Sequence, residues 1–295
     1  MIHIAAFIAL GCFWGLSVPL YKLMGLDGVP VSHIIVYTGF GVGLALALIG
    51  KLKSGSFAMS AAVVAYAAGC AVLLNMPFAF SLELARHVPA AEYALIVSTA
   101  PLFNFIASWA GGRAEATSQR LLAVGLGFVS SAMLIVSRHG GIADSETSWW
   151  SIAAFAVPVM YTAYNWFAAR YWPKDADIFA IGAAESVLSA LVALPFLLMF
   201  DPPWASGAPG PGAYLFVVIA CLLWIVERIA FFTLIRDKGA LYTIQAVYVA
   251  TPASVVFAFL IFGGVGDRWI WASLALLMLA LWLNNRAKVS PPAGA

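Results

Sequence analysis

Apolar residues in this chain run in ten stretches, each close to twenty residues long and separated by short polar breaks. A hydrocarbon core of about 30 Å takes roughly 20 helical residues to cross, and a soluble domain has no comparable use for stretches of that length. The pattern predicts membrane-spanning helices near 3–24, 30–51, 58–82, 89–111, 118–137, 149–171, 178–200, 212–235, 240–263 and 268–286. The alternating pattern of an outer-membrane barrel is absent, and a helix satisfies its own N–H and C=O groups in lipid, so the expectation is an all-α membrane protein. The longest breaks, Arg138 to Ser148 and Asp201 to Pro211, are short. Any chemistry therefore sits within the membrane or at its surfaces.

Composition agrees with that solvent: 63% of residues are hydrophobic and only 9% charged, with a mean hydropathy of +0.96. The small net charge of +2 hides an asymmetry. With ten spans both termini face one compartment. That side carries ten basic residues, Lys51, Lys53, Arg113, Arg120, Arg170, Lys174, Arg236, Lys238, Arg286 and Lys288, against four opposite, Lys22, Arg86, Arg138 and Arg268. The bias predicts cytoplasmic termini and a bacterial inner-membrane location, with the first apolar stretch retained as a helix rather than cleaved as a signal. Cys12, Cys70 and Cys221 fall inside predicted spans at spacings that suit neither a metal site nor a disulfide framework, and read as packing residues. Trp149, Trp150, Trp269 and Trp271 stand at span starts, where an indole suits the headgroup layer.

The chain also repeats itself. A shift of 151 residues matches Ala79 to Ala230, Phe80 to Phe231, Pro101 to Pro252, Ala107 to Ala258 and Gly112 to Gly263, and brings a mid-helix proline and a glycine pair (Gly111-Gly112, Gly263-Gly264) into register in both copies. The expectation is two five-helix units, residues 1–137 and 149–286. Five is odd, so the second unit enters the membrane upside down, the inverted-repeat design of many secondary transporters. A cavity between the halves follows.

Trp14-Gly15 followed by Lys22, and the run Tyr93-Ala94-Leu95-Ile96-Val97-Ser98-Thr99-Ala100-Pro101-Leu102-Phe103 leading through Gly111-Gly112 to Gly125 and Gly127, resemble the drug/metabolite transporter superfamily with its EamA-type repeats. Length, aromatic content and the lack of membrane-embedded lysines are most similar to bacterial amino-acid exporters of the YddG type. The chain departs from the family where a glutamate often follows the fourth span: Arg113 follows Gly112, and Glu115 comes later. The resemblance implies ten transmembrane helices as two inverted five-helix repeats around a central cavity, lined mainly by spans one, three, four, six, eight and nine. It also implies alternating access, a small-molecule substrate and no cofactor.

Helical spacing names candidate lining residues independently. Tyr161, Tyr164 and Asn165 share a face of the sixth span, with Trp166 alongside; Gln245, Tyr248 and Pro252 share one in the ninth. Trp14, Ser17 and Tyr21 form a stripe in the first span, Asn75 and Phe78 in the third, and Ser98, Thr99 and Asn104 flank Pro101 in the fourth. Each stripe has a packing alternative: a membrane hydroxyl can bond its own helix, and Gly39 and Gly43 read as a close-approach motif. Buried amides and phenols need partners, which favours cavity lining for the Tyr-Tyr-Asn cluster and the Gln-Tyr pair. Pro101 and Pro252 are expected to kink helices four and nine as gating elements.

Ionisable groups deep in spans are fewer. Glu185 lies in the seventh span and Glu227-Arg228 in the eighth. An isolated charge there costs about 2.5–3.5 kcal/mol on insertion scales, so each needs a partner, water or neutralisation. The options are a counter-ion for a zwitterionic substrate, a proton-titrating carboxylate, or a salt bridge between Glu185 and Arg228, with Glu227 the leading substrate-binding carboxylate. No catalytic motif occurs, and His3, His33, His87 and His139 form no metal spacing, so no enzyme activity and no nucleic-acid partner are expected. One deep arginine fits a less anionic cargo than a phosphate ester. The reading is a secondary transporter exporting amino acids, aromatic ones included, or similar amphipathic metabolites, working as a monomer. Other cargo of the same superfamily, and a non-transporting membrane receptor or scaffold, are the alternatives.

Overall fold

The computed structural model describes residues 2–54, 59–111, 117–139, 146–174, 176–204, 211–263 and 268–286. Gly112, Arg113, Glu115, Gly264 and Lys288 of the sequence reading lie outside them. Among the described residues the chain is helical throughout, with no strand. The helices are α1 (Ile2–Leu26), α2 (Val31–Ser54), α3 (Ala61–His87), α4 (Ala90–Val97), α5 (Ala100–Ala110), α6 (Ser118–His139), α7 (Glu146–Ala153), α8 (Ala156–Arg170), α9 (Ile178–Phe200), α10 (Leu215–Ile244), α11 (Val247–Phe262) and α12 (Arg268–Arg286), with a 3-10 turn at Pro211–Tyr214. Among the described residues, eight stretches are long and apolar enough to cross a membrane. They are carried by α1, α2, α3, α4 with α5, α7 with α8, α9, α10 and α11; α6 and α12 are not among the eight. Large apolar side chains such as Leu52, Met199 and Phe200 point outward, as a lipid-facing surface allows and a soluble one does not.

Three of the expected spans are broken. A proline has no N–H to offer the carbonyl four residues earlier, and its ring crowds that carbonyl. For Pro101 that carbonyl belongs to Val97, where α4 ends; for Pro158 it belongs to Ala154, one residue past the end of α7. Each break is bridged by tighter bonds to the third residue back, Thr99 N to Ile96 O at 3.1 Å and Phe155 N to Ile152 O at 3.1 Å. The ninth expected span also breaks, but at Gln245 and Ala246 rather than at Pro252, which α11 carries inside a continuous helix. The break in this span therefore lies six residues before Pro252, and it is bridged in the same way, by Gln245 N to Tyr242 O at 3.2 Å and Ala246 N to Thr243 O at 3.1 Å. Gly239, at φ 79° and ψ 174°, adds a corner just before this segment, a conformation open to glycine and strained for other residues.

Helix pairing follows the small residues. Gly39 and Gly43 on α2 lie against α9, where a Cβ on Gly39 would stand 2.7 Å from the Ser186 carbonyl oxygen and one on Gly43 would stand 2.6 Å from Val187. The contact is antiparallel, since the earlier glycine meets the later residues. Close backbone approach is the physical reason for the spacing. Gly11 and Gly15 do the same on α1, against Ala246 and Val249, then Ala250 and Ala253, of the α10–α11 region; this pair runs parallel. The α6–α12 pair is antiparallel, with Gln119 Nε2 donating to Leu283 O at 3.1 Å and Ser130 Oγ to Ser273 O at 2.7 Å. The termini of the bundle are tied by side chains on backbone. Lys22 Nζ donates to Ala85 O and Val88 O, both at 3.3 Å, at the end of α3, and Arg86 donates to Val29 O at 2.8 Å in the α1–α2 connection.

Candidate functional site

Between these helices lies a cavity of about 170 Å³. For scale, a protein cavity of about 150 Å³ accommodates benzene. Its walls come from α1, α3, α4, α8, α10 and α11 and also from α2 and α9, two helices that the sequence reading left out of the lining. Ten expected residues line it: Trp14, Ser17, Tyr21, Asn75, Phe78, Ser98, Tyr161, Tyr164, Asn165 and Glu227. Trp166, Tyr248 and Gln245 do not. Trp166 points to the outside at 42% exposure, since it follows Asn165 by a single residue and so lies about 100° around α8. Tyr248 packs toward α12, and its hydroxyl donates to the Leu281 carbonyl. Gln245 caps α10 at the break, outside the lining. Pro101 and Pro252 are likewise outside it.

One wall holds a charged group of five side chains. Arg228 Nη1 stands 3.3 Å from Glu185 Oε2, and its Nε stands 3.9 Å from Glu227 Oε2. Tyr164 OH donates to Glu185 Oε1 at 2.7 Å, and Arg228 Nη1 reaches that hydroxyl at 3.4 Å. Trp14 Nε1 donates to Glu227 Oε1 at 3.0 Å across 213 residues of sequence. The Tyr164 ring is held in turn by stacking on Phe231, with centroids 5.6 Å apart. Glu185 is fully buried, and the shared guanidinium is what makes a carboxylate tolerable there. The salt bridge anticipated between Glu185 and Arg228 is present. Glu227 faces the cavity on the same helix, with Trp14 orienting one oxygen.

The rest of the lining divides into rings and hydroxyls. Phe78 meets Trp224 edge-on at 5.0 Å, and Tyr21 contacts both at 5.6 and 6.2 Å, forming a flat-sided apolar corner. Ser98 lines the cavity, yet its hydroxyl is tied to its own helix at Ala94 O, 2.6 Å away. Asn75 Nδ2 donates to the Ser189 carbonyl at 3.0 Å, which fixes the amide orientation because a backbone carbonyl only accepts. Tyr93, Trp224, Ser186 and Ser189 were not among the expected lining residues. The stripe Trp224, Glu227, Phe231 recurs every three to four positions and was readable; single serines beside Glu185 carry no signal that separates them from packing. Among the described residues no group of three or more His, Cys, Asp or Glu could hold a metal ion.

No family model and no curated protein matches this chain. Solved structures do: one, described only as "Crystal structure of protein", superposes with a TM-score of 0.60 at 17% identity over 94% of this chain and 95% of its own. At that identity the likeness is one of fold alone. Fold and site together define a multi-pass helical membrane protein with a polar and aromatic cavity inside its bundle.

Proposed function

We propose that this protein is a secondary transporter of small amphipathic amines, foremost amino acids, working by alternating access in a bacterial inner membrane. The observation that carries this reading is the cavity itself: walls from both halves of the chain enclose a space of small-molecule size, with a carboxylate, a guanidinium and aromatic rings turned into it. A receptor or scaffold has no need of a charged group held in such a space at the cost of burying it.

In this reading the chain crosses the bilayer ten times, α4 with α5 and α7 with α8 each making one crossing, with α6 and α12 supplying the fifth and tenth. Residues 1–137 and 149–286 are inverted repeats of the EamA type. Packing supports this: the 151-residue shift lays α2 on α9 and α6 on α12, and both pairs are antiparallel. Equivalent helices meet antiparallel across a two-fold axis lying in the membrane plane, the relation that exchanges inward-open and outward-open states. Trp14 on α1 and Glu227 on α10 then belong to opposite halves, and rocking one half against the other changes their contact.

Glu227 takes the cargo ammonium or a proton, and Arg228 with Glu185 sets the local charge. The rings of Tyr21, Phe78 and Trp224 cover the carbon skeleton. The test is counterflow of labelled amino acids in proteoliposomes, with and without a pH gradient, for the parent and for Glu227→Gln. Parent counterflow that responds to pH, and a variant that is stable but insensitive to pH or weakened in binding, support the reading. Absence of counterflow for every amine in the panel refutes it.

A further inference from the structure

Two groups of hydroxyls inside this bundle differ in their partners. Those of Ser17, Thr38, Ser81, Thr162, Thr233 and Thr251 each donate to the carbonyl four residues earlier on their own helix, at 2.5–2.8 Å, as membrane hydroxyls that serve only packing do. Ser186, Ser189 and Ser254 are 94% or more buried and line the cavity, yet their Oγ atoms have no hydrogen-bond partner within the protein among the described residues. A fourth such hydroxyl, Ser273, sits at the α6–α12 seam, away from the cavity. Asn75, 9% exposed, completes the set, with Oδ1 unpartnered while its Nδ2 is spent on Ser189 O.

We infer that Asn75, Ser186 and Ser189 form a binding subsite for an uncharged hydrogen-bonding group of the cargo, a hydroxyl or an amide, separate from the Glu227 end that takes its ammonium. The donor and acceptor inventory decides the chemistry. Asn75 Oδ1 only accepts, so a carboxylate leaves it unsatisfied; the serine hydroxyls both donate and accept. A ligand group that itself donates and accepts fits all three, and an apolar group leaves each of them desolvated and unpaired, which is the costlier outcome. Asn75 precedes Phe78 by three residues on α3, so this subsite adjoins the ring corner, and a side chain running over the rings ends at the amide. The inference rests on the transporter reading for its cargo class and sharpens it: among amines of equal size, the one bearing a hydroxyl or an amide is preferred.

The experiment uses two isosteric pairs, threonine against valine and ethanolamine against propylamine. Binding is read by thermal stabilisation of the purified protein, and transport by competition for counterflow in proteoliposomes. The polar member of each pair should bind about tenfold more tightly in the parent. In the Ser186→Ala/Ser189→Ala variant the ratio should fall to within about twofold, chiefly by loss of the polar member; in Thr233→Ala, whose hydroxyl is spent on its own helix, the ratio should stand. Equal binding within each pair in the parent, or an unchanged ratio in the double variant, overturns the subsite while leaving transport intact. A ratio seen in binding with no amino-acid counterflow keeps the subsite and removes the transport reading. No binding by any of the four removes both.

Discussion

Removing the cation of the buried charged group should unfold the protein more readily than removing one of its anions, and removing both should recover part of the loss. Arg228 is 3.3 Å from Glu185 and 3.9 Å from Glu227. At an effective dielectric of about 20 these contacts amount to roughly 5 and 4 kcal/mol of attraction, set against the desolvation of all three groups. In Arg228→Met, among the described residues Glu185 keeps the Tyr164 hydroxyl and Glu227 the Trp14 indole. Stranding one buried partner costs about 3–5 kcal/mol. At roughly 2–4 °C per kcal/mol, the melting temperature in detergent should fall by about 6–20 °C. Glu185→Gln keeps the volume and an acceptor for Tyr164 and leaves Arg228 paired with Glu227, so its loss should be about half as large. Combining the two should give a protein more stable than Arg228→Met alone, which takes a coupling larger than the roughly 1.5–2.5 kcal/mol that Glu185→Gln costs by itself. Thermal unfolding of the four proteins followed by size-exclusion chromatography measures the cycle. Additive losses, or an Arg228→Met protein as stable as the parent, refute the view that this ion pair holds α9 to α10.

Three other outcomes follow from the arrangement. Pro101→Ala, which lets α4 and α5 fuse, should slow counterflow more than it weakens binding, whereas Pro252→Ala, inside a continuous helix, should leave the rate near the parent's; equal effects in a rate-and-affinity measurement refute the assignment of the hinge to the break. Trp224→Ala should weaken aromatic cargo by roughly three- to tenfold, while Tyr248→Phe, which loses only a bond to Leu281 O, should leave the amino-acid selectivity profile unchanged; a profile that shifts in Tyr248→Phe places that hydroxyl in the transport path. A reporter active only in the cytoplasm should work when fused after Ala295, and one active only outside it should work near Ser145; the opposite pattern overturns both the orientation and the even number of crossings.

Element positions were legible because hydropathy and length set them directly: α9 and α12 begin and end at the residues expected, 178–200 and 268–286. The close approach of α2 through Gly39 and Gly43 and the pairing of Glu185 with Arg228 were also readable, since each rests on a residue type that lipid tolerates in few other ways. Facing direction was readable only in part. Periodicity says which residues share a side of a helix but not which neighbour that side meets, so Tyr248 was grouped with the cavity when its face belongs to α12. The break at Ala154 and Phe155 was signalled by Pro158, whereas the one at Gln245 and Ala246 has no proline within reach and depends on packing around it. The serines of α9 were illegible for a further reason. A hydroxyl that bonds its own helix and one that turns into a cavity are the same letter, and only the bond partners separate them.

Charge arithmetic in the cavity constrains the mechanism further. Two carboxylates face one guanidinium there, and Arg228 lies nearer Glu185, which also receives the Tyr164 hydroxyl. The balanced pair is therefore Glu185 with Arg228, and the surplus charge falls on Glu227. An unbalanced anion in a low-dielectric space is costly, so in the transporter proposed above Glu227 draws a cation brought by the cargo. Trp14 on α1 orients that carboxylate through its indole N–H. An anionic cargo adds to the surplus instead of cancelling it, and on this ground the proposed function takes an amine rather than a phosphate ester as cargo despite the arginine beside Glu227.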